Sequence, residues 1–518
     1  MAERLVIPDR NPQLLLSPNL HDWIPDDDLV YFIIDAVEQL PLSLFKLNRR
    51  GSGSAQYCPR MMLGLLIYCY ATGRFSSRQI EAASYRDVAV RILCGNQHPD
   101  HDTICRFRRS NRAAIEASFV QVLELAMELK LLRVGAIAVD GTKIQANASK
   151  HAAVSYQRAG EIMERLRGEV GELMQKAEDA DSTPLAEGLS IPQEIARREE
   201  RVRRLEAARR EMEARAAQRA ALEQEEYQIK LTEREERRGR GETVRGREPQ
   251  PPEPAPAAKD QYNFTDPQSR IMKAGNGAHF EQAYNAQAAV DAEGSMLVLG
   301  RRVSDHANDK QELAPGVQSV VAEVGPVSQV LADAGYYSEQ AVEQVESQDV
   351  QAYVAVGKGT HHKTVADLEP AGELAPLPED AGAKEKMAHR LKSQQGKELY
   401  ALRKQTVEPV FGIVKQALGF RQFTLRGLDQ VALEWELVTL AYNCKRLHKL
   451  TQGNAGGVVC PAAAKKAAKN GKNGKNSDQS TRPRLETGKF EWWCRQILQK
   501  LLPFRRRLAF NAIASPCA

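Results

Sequence analysis

The chain has 518 residues, too many for one compact core, so two to four domains are expected. Hydrophobic residues make up 42%, enough for globular packing, yet the most apolar stretch, 61–71, is far too short to cross a bilayer, which sets a membrane protein aside. The net charge of +5 says little about partners over the whole chain, and the eight cysteines contain no C-x-x-C pair, which argues against a zinc ribbon or disulfide framework and for a reduced, cytoplasmic protein. The first twenty residues mix charge and proline with apolar side chains and lack the apolar core of a signal peptide.

In chain order, prolines break residues 1–50 into short pieces, and a helix is predicted from Asp27 to Gln39 with acids at its start. Pro59 opens a second helix that Gly73 ends, and Ser76 to Gln79 cap a third. Another helix begins at Asp102, its N-cap, and runs on through Phe107 to Leu129. Between Arg74 and Arg112 arginines outnumber acids two to one; Arg106, Arg108 and Arg109 fall together, a cluster suited to phosphate backbones. Short helices with an arginine-rich segment resemble a helix-turn-helix reader of double-stranded DNA, although a solvated helix face gives the same pattern.

After Leu132 the texture changes. The stretch from Gly135 to Ile144 alternates small and β-branched residues and runs into Asp140-Gly141, which reads as a buried strand ending in a turn. Much later, Ala283 to Ser304 reads as two strands joined by a turn at Asp291 to Gly294, and a further strand runs up to Asp333. A helix near Ser338, a strand through Val354, a helical stretch from Gly396 to Leu418 and an amphipathic helix from Asp429 to Leu450 complete this part. Between the first strand and the hairpin, Ile162, Leu166, Val170, Leu173 and Ala177 follow the helical period. Ser190 to Gln193 resembles a capping box, and Ile195, Val202, Leu205, Met212 and Ala216 then follow a heptad into which Arg198 and Arg209 intrude. An antiparallel helical hairpin bending at 179–188 is expected, followed by a proline-rich, extended or disordered linker. Beyond Leu450 the chain is basic and low in complexity, with a short apolar segment around Trp492 and Trp493.

Three acids are singled out by context. Asp140 and Asp333 each end an apolar strand and each precede a small residue, so neighbouring strand ends can bring two carboxylates to one metal ion; each could equally be a turn-capping Asp. Glu408 and Lys415 are seven positions apart, two helical turns, and share a face suited to an ion beside a phosphate; an ordinary exposed helix carries the same residues. Pro409 means that the helix either restarts there or kinks. His98, Asp100 and His101 read as a polar turn rather than a metal cluster, Asp291 as a turn former, and Asp266 as a residue ordering a loop. His361 and His362 read as an exposed loop or a DNA contact.

Several blocks in order resemble the DDE transposases of bacterial insertion sequences that carry an InsH-type N-terminal domain. They are Pro59-Arg60-Met61-Met62-Leu63, the run from Asn96 to Ile104, Val139-Asp140-Gly141-Thr142-Lys143, Asn263-Phe264-Thr265-Asp266-Pro267, Tyr284-Asn285-Ala286-Gln287, Asp333-Ala334-Gly335-Tyr336, and Val407 to Gly412. The resemblance runs from about Pro12 to Leu447 and leaves the tail outside. It implies an α/β fold: a ribonuclease-H-like, retroviral-integrase-type core, interrupted by the helical hairpin and preceded by an all-α domain. The expected layout is a DNA-binding domain at 1–130 and a catalytic domain at 131–450, with a coiled-coil-like insertion at 156–238 and a linker at 239–260; a largely disordered tail occupies 451–518. It also implies a metal-binding and catalytic triad of Asp140, Asp333 and Glu408 holding Mg²⁺ or Mn²⁺, two ions in all. Tyr400, Arg403 and Lys415 match the signature around the third acid, with one extra residue between Arg403 and Glu408. These three, with Lys143, Arg106, Arg108 and Arg109, are the expected DNA contacts. The reaction implied is cleavage at transposon ends followed by strand transfer into target DNA, by a homodimer or higher synaptic oligomer. Two rivals stay open: a non-transposing nuclease of the same fold, and a catalytically silent DNA-binding or scaffold protein assembled through the hairpin.

Overall fold

Residues 19–129 contain helices and no strands among the described residues, and local chemistry sets their ends. Asp28 caps α1 (Leu29–Glu38), Pro59 occupies the first turn of α2 (Pro59–Ala71), and Ser76 with Gln79 caps α3 (Ser77–Arg86). Asp87 caps the short α4 (Val88–Leu93). The long helix expected from Asp102 is two helices, α5 (His101–Ser110) and α6 (Arg112–Glu128). The cap of α5 is Asp100, which accepts the Thr103 N–H at 2.8 Å, so the expected start was two residues late. The break falls at the buried Asn111, whose side chain accepts the Lys46 N–H at 2.8 Å and donates to the Phe107 carbonyl at 2.9 Å. A side chain that competes for backbone partners in this way ends a helix that hydrophobic periodicity alone would continue.

The computed structural model describes residues 19–47, 55–179, 191–241, 248–274, 277, 279–357 and 381–454. The readings of Ser190, of the hairpin bend beyond 179, of His361 and His362, and of the tail around Trp492 lie outside the described residues.

After α6 comes β1 (Ala136–Gln145), the middle of a mixed sheet. β5 (Phe280–Asp291) pairs antiparallel with β1 along nearly its whole length. Its other edge is shared by β4 (Arg270–Lys273) and β6 (Val298–Ser304). On the far side of β1 lie β7 (Gln329–Ala332) and β8 (Gln351–Val354), both parallel to their neighbours. The β5–β6 hairpin turns as expected: Asp291 accepts the Glu293 and Ser295 N–H groups and the Ser295 hydroxyl. α9 (Leu313–Gln318) precedes β7, and α10 (Glu339–Glu346), capped by Ser338, links β7 to β8. α11 (Ala383–Lys392) packs on β8, and α12 (Gln394–Gly412) packs on β1. α12 runs unbroken through Pro409 and ends in a π-helical turn, Ile413–Ala417, so Pro409 neither restarts the helix nor ends it.

α13 (Leu428–Asn454) spans the expected helix but is not amphipathic over its first half. From Val431 to Cys444 nearly every side chain is buried, because α2, α6 and β6 surround it. One hydrophobic core therefore runs from α1 through the sheet to Leu447.

Between β1 and the rest of the sheet stand α7 (Tyr156–Asp179) and α8 (Ile191–Gly239), flanked by the two-stranded β2 (Ala153–Ser155) and β3 (Gln261–Asn263). They pack on each other with their own small core, in which Ala159, Met163 and Leu166 meet Val202 and Leu205. Met163 rather than Ile162 leads the α7 seam, and Ala177 is exposed. The arginines that intrude on the α8 heptad are neutralised there. Arg198 pairs with Glu169 at 2.9 Å and Glu194 at 2.7 Å, while Arg209 lies over the Tyr156 ring and donates to its hydroxyl at 2.6 Å.

Candidate active site

Parallel pairing of Ala138 with Leu331 sets Asp140 level with Asp333, two positions further along each strand. Neighbouring strands are about 5 Å apart, so the two carboxylates start from adjacent backbones. Each also accepts a nearby backbone N–H: Gly141 N donates to Asp140 Oδ1 at 2.8 Å, and Gly335 N to Asp333 Oδ1 at 2.7 Å. Asp333 directly follows β7, as expected, but Asp140 lies within β1, which continues to Gln145 rather than ending in a turn because β5 pairs with it throughout.

α12 brings up the remaining groups. Arg403, buried, donates through Nη1 to Asp140 Oδ2 and through Nη2 to Glu408 Oε1, each at 3.2 Å. Glu408 is half exposed, its side chain 52% accessible. One guanidinium thus stands between two of the three expected acids. Among the described residues, no three Asp, Glu, His or Cys side chains are drawn together tightly enough to share one ion. The expected triad is an Asp140–Asp333 pair with Glu408 held across Arg403.

The charge balance at this end of the sheet is unusual. Burial pushes the Asp140 carboxyl up to about 6; the Gly141 hydrogen bond and Arg403 pull it down, while Asp333 and Asp309 add to the rise. Burial would lower the pKa of Arg403, but Asp140, Tyr400, Asp333 and Glu408 outweigh it and raise it. The Tyr400 hydroxyl is raised first by burial, with Arg403 opposing and Asp333 and Asp140 adding. Lys143 and Lys415 are both lowered, chiefly by burial, with Asp309 opposing for Lys143 and Glu281 for Lys415. Lys415 Nζ donates to the Lys143 carbonyl at 2.8 Å, so Lys415 turns toward β1. Lys143 Nζ is buried 3.8 Å from Asp309 Oδ1, beyond hydrogen-bond reach, and Arg403 Nε also lacks a partner. Two buried cationic groups thus keep unused donors near these carboxylates.

Four residues here escaped the sequence reading as site members. Asp309, in the loop after β6, accepts Asn285 Nδ2 at 2.7 Å and Gln287 Nε2 at 2.8 Å. The Tyr336 hydroxyl donates to Gln287 Oε1. Asn285, Gln287 and Tyr336 stood in recognised blocks without a role. Asp309 sits in an irregular loop, where no periodicity marks it.

Other expected contacts separate. Arg106 and Arg109 are exposed on α5. Arg108 is not available to DNA: it is buried, donates to the Tyr70 hydroxyl at 2.6 Å and lies 3.7 Å from Glu434. Helical spacing turns Arg108 about 200° from Arg106 and about 100° from Arg109, so it faces inward while they stay exposed. Glu434, fully buried, also accepts the N–H groups of Thr424 and Leu425. His101 pairs with Glu81 at 2.8 Å and His98 stacks on Tyr85, so the polar turn holds no metal cluster among the described residues. The buried Asp266 accepts the Tyr284 hydroxyl with both oxygens and the Gly427 N–H, which ties its loop to the sheet and to the start of α13.

Two family models match the sequence. One, described as a transposase DDE domain, covers residues 374–448 and so includes Tyr400, Arg403, Glu408 and Lys415. The other, described as a transposase domain (DUF772), covers residues 18–110, the helical region up to the end of α5. Asp140 and Asp333 lie outside both matches. No curated protein and no solved structure matches the chain. No helix among the described residues is long and apolar enough to cross a membrane. Two transposase models in chain order, one on the N-terminal helices and one on the helices that carry Glu408 and Arg403, support a DDE transposase of bacterial insertion sequences.

Proposed function

We propose that this transposase binds the terminal inverted repeats of its element, cleaves DNA at the ends and transfers the strands to target DNA, with Asp140, Asp333 and Glu408 as the catalytic carboxylates. The observation that carries this reading is the level placement of Asp140 and Asp333 on adjacent parallel strands, with Glu408 tethered to Asp140 through Arg403. Three antiparallel strands followed by two parallel ones, flanked by helices, support a ribonuclease-H-like core. On this reading, residues 1–130 form the DNA-binding domain, 131–450 the catalytic domain and 156–238 a helical insertion.

The donor set fits a hard divalent cation in both chemistry and charge. All three groups are carboxylates, and burial, with Asp333 and Asp309 adding, makes the Asp140 charge costly, a cost that a bound cation would offset. Two Mg²⁺ or Mn²⁺ ions held there would supply an activated attacking oxygen and a stabilised leaving oxygen for an in-line displacement at phosphorus. The protein's own groups do the rest. Arg403 keeps Asp140 and Glu408 within reach of one another, and these two carboxylates with Asp333 would hold the cations. Lys143 and Lys415, desolvated beside β1, regain favourable charge when a DNA phosphate arrives. Tyr400 lies beside Arg403 and lines the same approach. Arg106 and Arg109 hold the phosphates of the end DNA, and a dimer or larger synaptic assembly brings two ends together.

The test incubates purified protein with a labelled inverted-repeat end and Mg²⁺. Cleavage by the wild type, abolished in Asp140→Ala, Asp333→Ala and Glu408→Ala with end binding retained, is the expected result. End binding with no cleavage by any of these proteins, wild type included, overturns it and favours the scaffold reading.

A further inference from the structure

We infer that Asp309 is a positioning residue that locks the Asp333 turn against β5 through the relay Asp309–Gln287–Tyr336, and so sets the affinity of the carboxylate centre for divalent cations. This rests on the metal-binding reading of Asp140 and Asp333 proposed above.

The register places Gln287 directly across from Gly141 and Asn285 across from Lys143, so these side chains lie on one face of the β1–β5 pair. Asp309 Oδ1 accepts the amide N–H of both, at 2.7 and 2.8 Å. A carboxylate accepts and cannot donate, which fixes the orientation of each amide. Gln287 must then present its oxygen outward, and that oxygen takes the Tyr336 hydroxyl. Tyr336 is fully buried, and its N–H donates to the Asp333 carbonyl at 3.2 Å, closing the turn that carries Asp333. The relay therefore joins the loop after β6, strand β5 and the Asp333 turn without touching the Asp140 or Asp333 carboxylates through any hydrogen bond.

The space around the relay is filled. A side chain at Gly141 would meet Gln287 Nε2 at 2.2 Å and Asp309 Oδ1 at 2.8 Å, so the backbone next to Asp140 lies directly on the relay. At Gly335 it would meet Asp333 Oδ1 at 3.0 Å and Asp309 Oδ2 at 3.9 Å, so the loop beside Asp333 lies against the same carboxylate. Loss of Asp309 would free both amides to rotate, release Tyr336 and let the Asp333 turn drift. Outer partners of metal-holding carboxylates contribute in this way, typically about 10–100-fold in metal affinity.

Mn²⁺ binding, followed by calorimetry without DNA, and backbone hydrogen exchange at Gly335 and Tyr336 in metal-free protein test the inference. Asp309→Ala and Tyr336→Phe should weaken Mn²⁺ binding by about 10-fold or more and speed exchange at both amides. Asp309→Asn, which still offers an acceptor oxygen, should stay within about 5-fold of wild type on the scale of such effects. Wild-type Mn²⁺ affinity in Tyr336→Phe and Asp309→Ala overturns the relay. Mn²⁺ binding lost in Asp309→Asn as completely as in Asp140→Asn also overturns it, because Asp309 would then act as a direct ligand. Should Asp309→Ala not fold, Tyr336→Phe and Asp309→Asn decide the question. Wild-type protein that binds no Mn²⁺, or Asp140→Asn that binds it normally, would instead sink the metal-binding reading on which the relay rests.

Discussion

Arg403 reaches Asp140 across 263 positions of sequence, Nη1 to Oδ2 at 3.2 Å, and holds Glu408 with its other nitrogen. A planar fork can serve two carboxylates at once where a lysine, a point charge, cannot. Arg403→Lys should therefore keep partial stability, while Arg403→Ala should cost about 2–3 kcal/mol, less than a fully buried pair because Glu408 is half exposed. Chemical denaturation of the metal-free protein measures this. A loss under 0.5 kcal/mol on that roughly estimated scale would mean that the bridge carries no stability.

The raised Asp140 carboxyl makes stability depend on pH with a definite sign. Its folded pKa stands near 6 against an ordinary 3.8, so between those values the folded protein keeps a proton that the unfolded chain gives up. The stabilisation is complete below pH 3.8 and is lost as pH rises through 6. The loss amounts to roughly 3 kcal/mol at most. Asp140→Asn removes the cost: its Tm in chelator should match wild type near pH 4 and exceed it increasingly up to about pH 7. A pH-independent difference would contradict the assignment.

Arginines on one helix should separate cleanly. Arg106→Ala and Arg109→Ala should leave Tm unchanged, weaken binding to end DNA and lower its salt dependence by about one phosphate contact each. Arg108→Met should do the reverse. It strands Glu434 in the core and should cost about 3–5 kcal/mol. Anisotropy titrations at several salt concentrations, alongside thermal melts, distinguish the two behaviours.

The helical pair has its own core, so it can fail on its own. Leu205→Ala should cost about 2–4 kcal/mol locally. Hydrogen exchange should show faster exchange across α7 and α8 while β1 and β5 keep their protection. Loss of protection throughout the sheet would show that the pair and the sheet fold as one.

Most elements were legible because periodicity and capping chemistry are local. Asp28, Pro59, Ser76 and the Asp291 turn all act within four residues of themselves. The strand before Asp333 was legible for the same reason, whereas Asp140-Gly141 read as a turn and lies within β1, held there by the distant β5. What escaped depends on distant partners. Asn111 breaks a helix through a contact with Lys46, 65 positions away. Arg108 looks like its neighbours until Tyr70 and Glu434 surround it. The Arg403 bridge, the Asp309 relay and the burial of α13 likewise exist only after the chain has folded.

That last feature bears on how the molecule can be taken apart. Glu434 of α13 accepts the Tyr70 hydroxyl, Lys445 donates to the Ala71 carbonyl, and Arg112 donates to the Asp429 carbonyl. Cutting the gene near codon 131 to separate the N-terminal helices from the carboxylate-bearing part would strip α13 of its cover and leave an oily groove in the other piece. Truncation is the wrong dissection here. Point substitutions on exposed surfaces are the way to remove one role and keep the other.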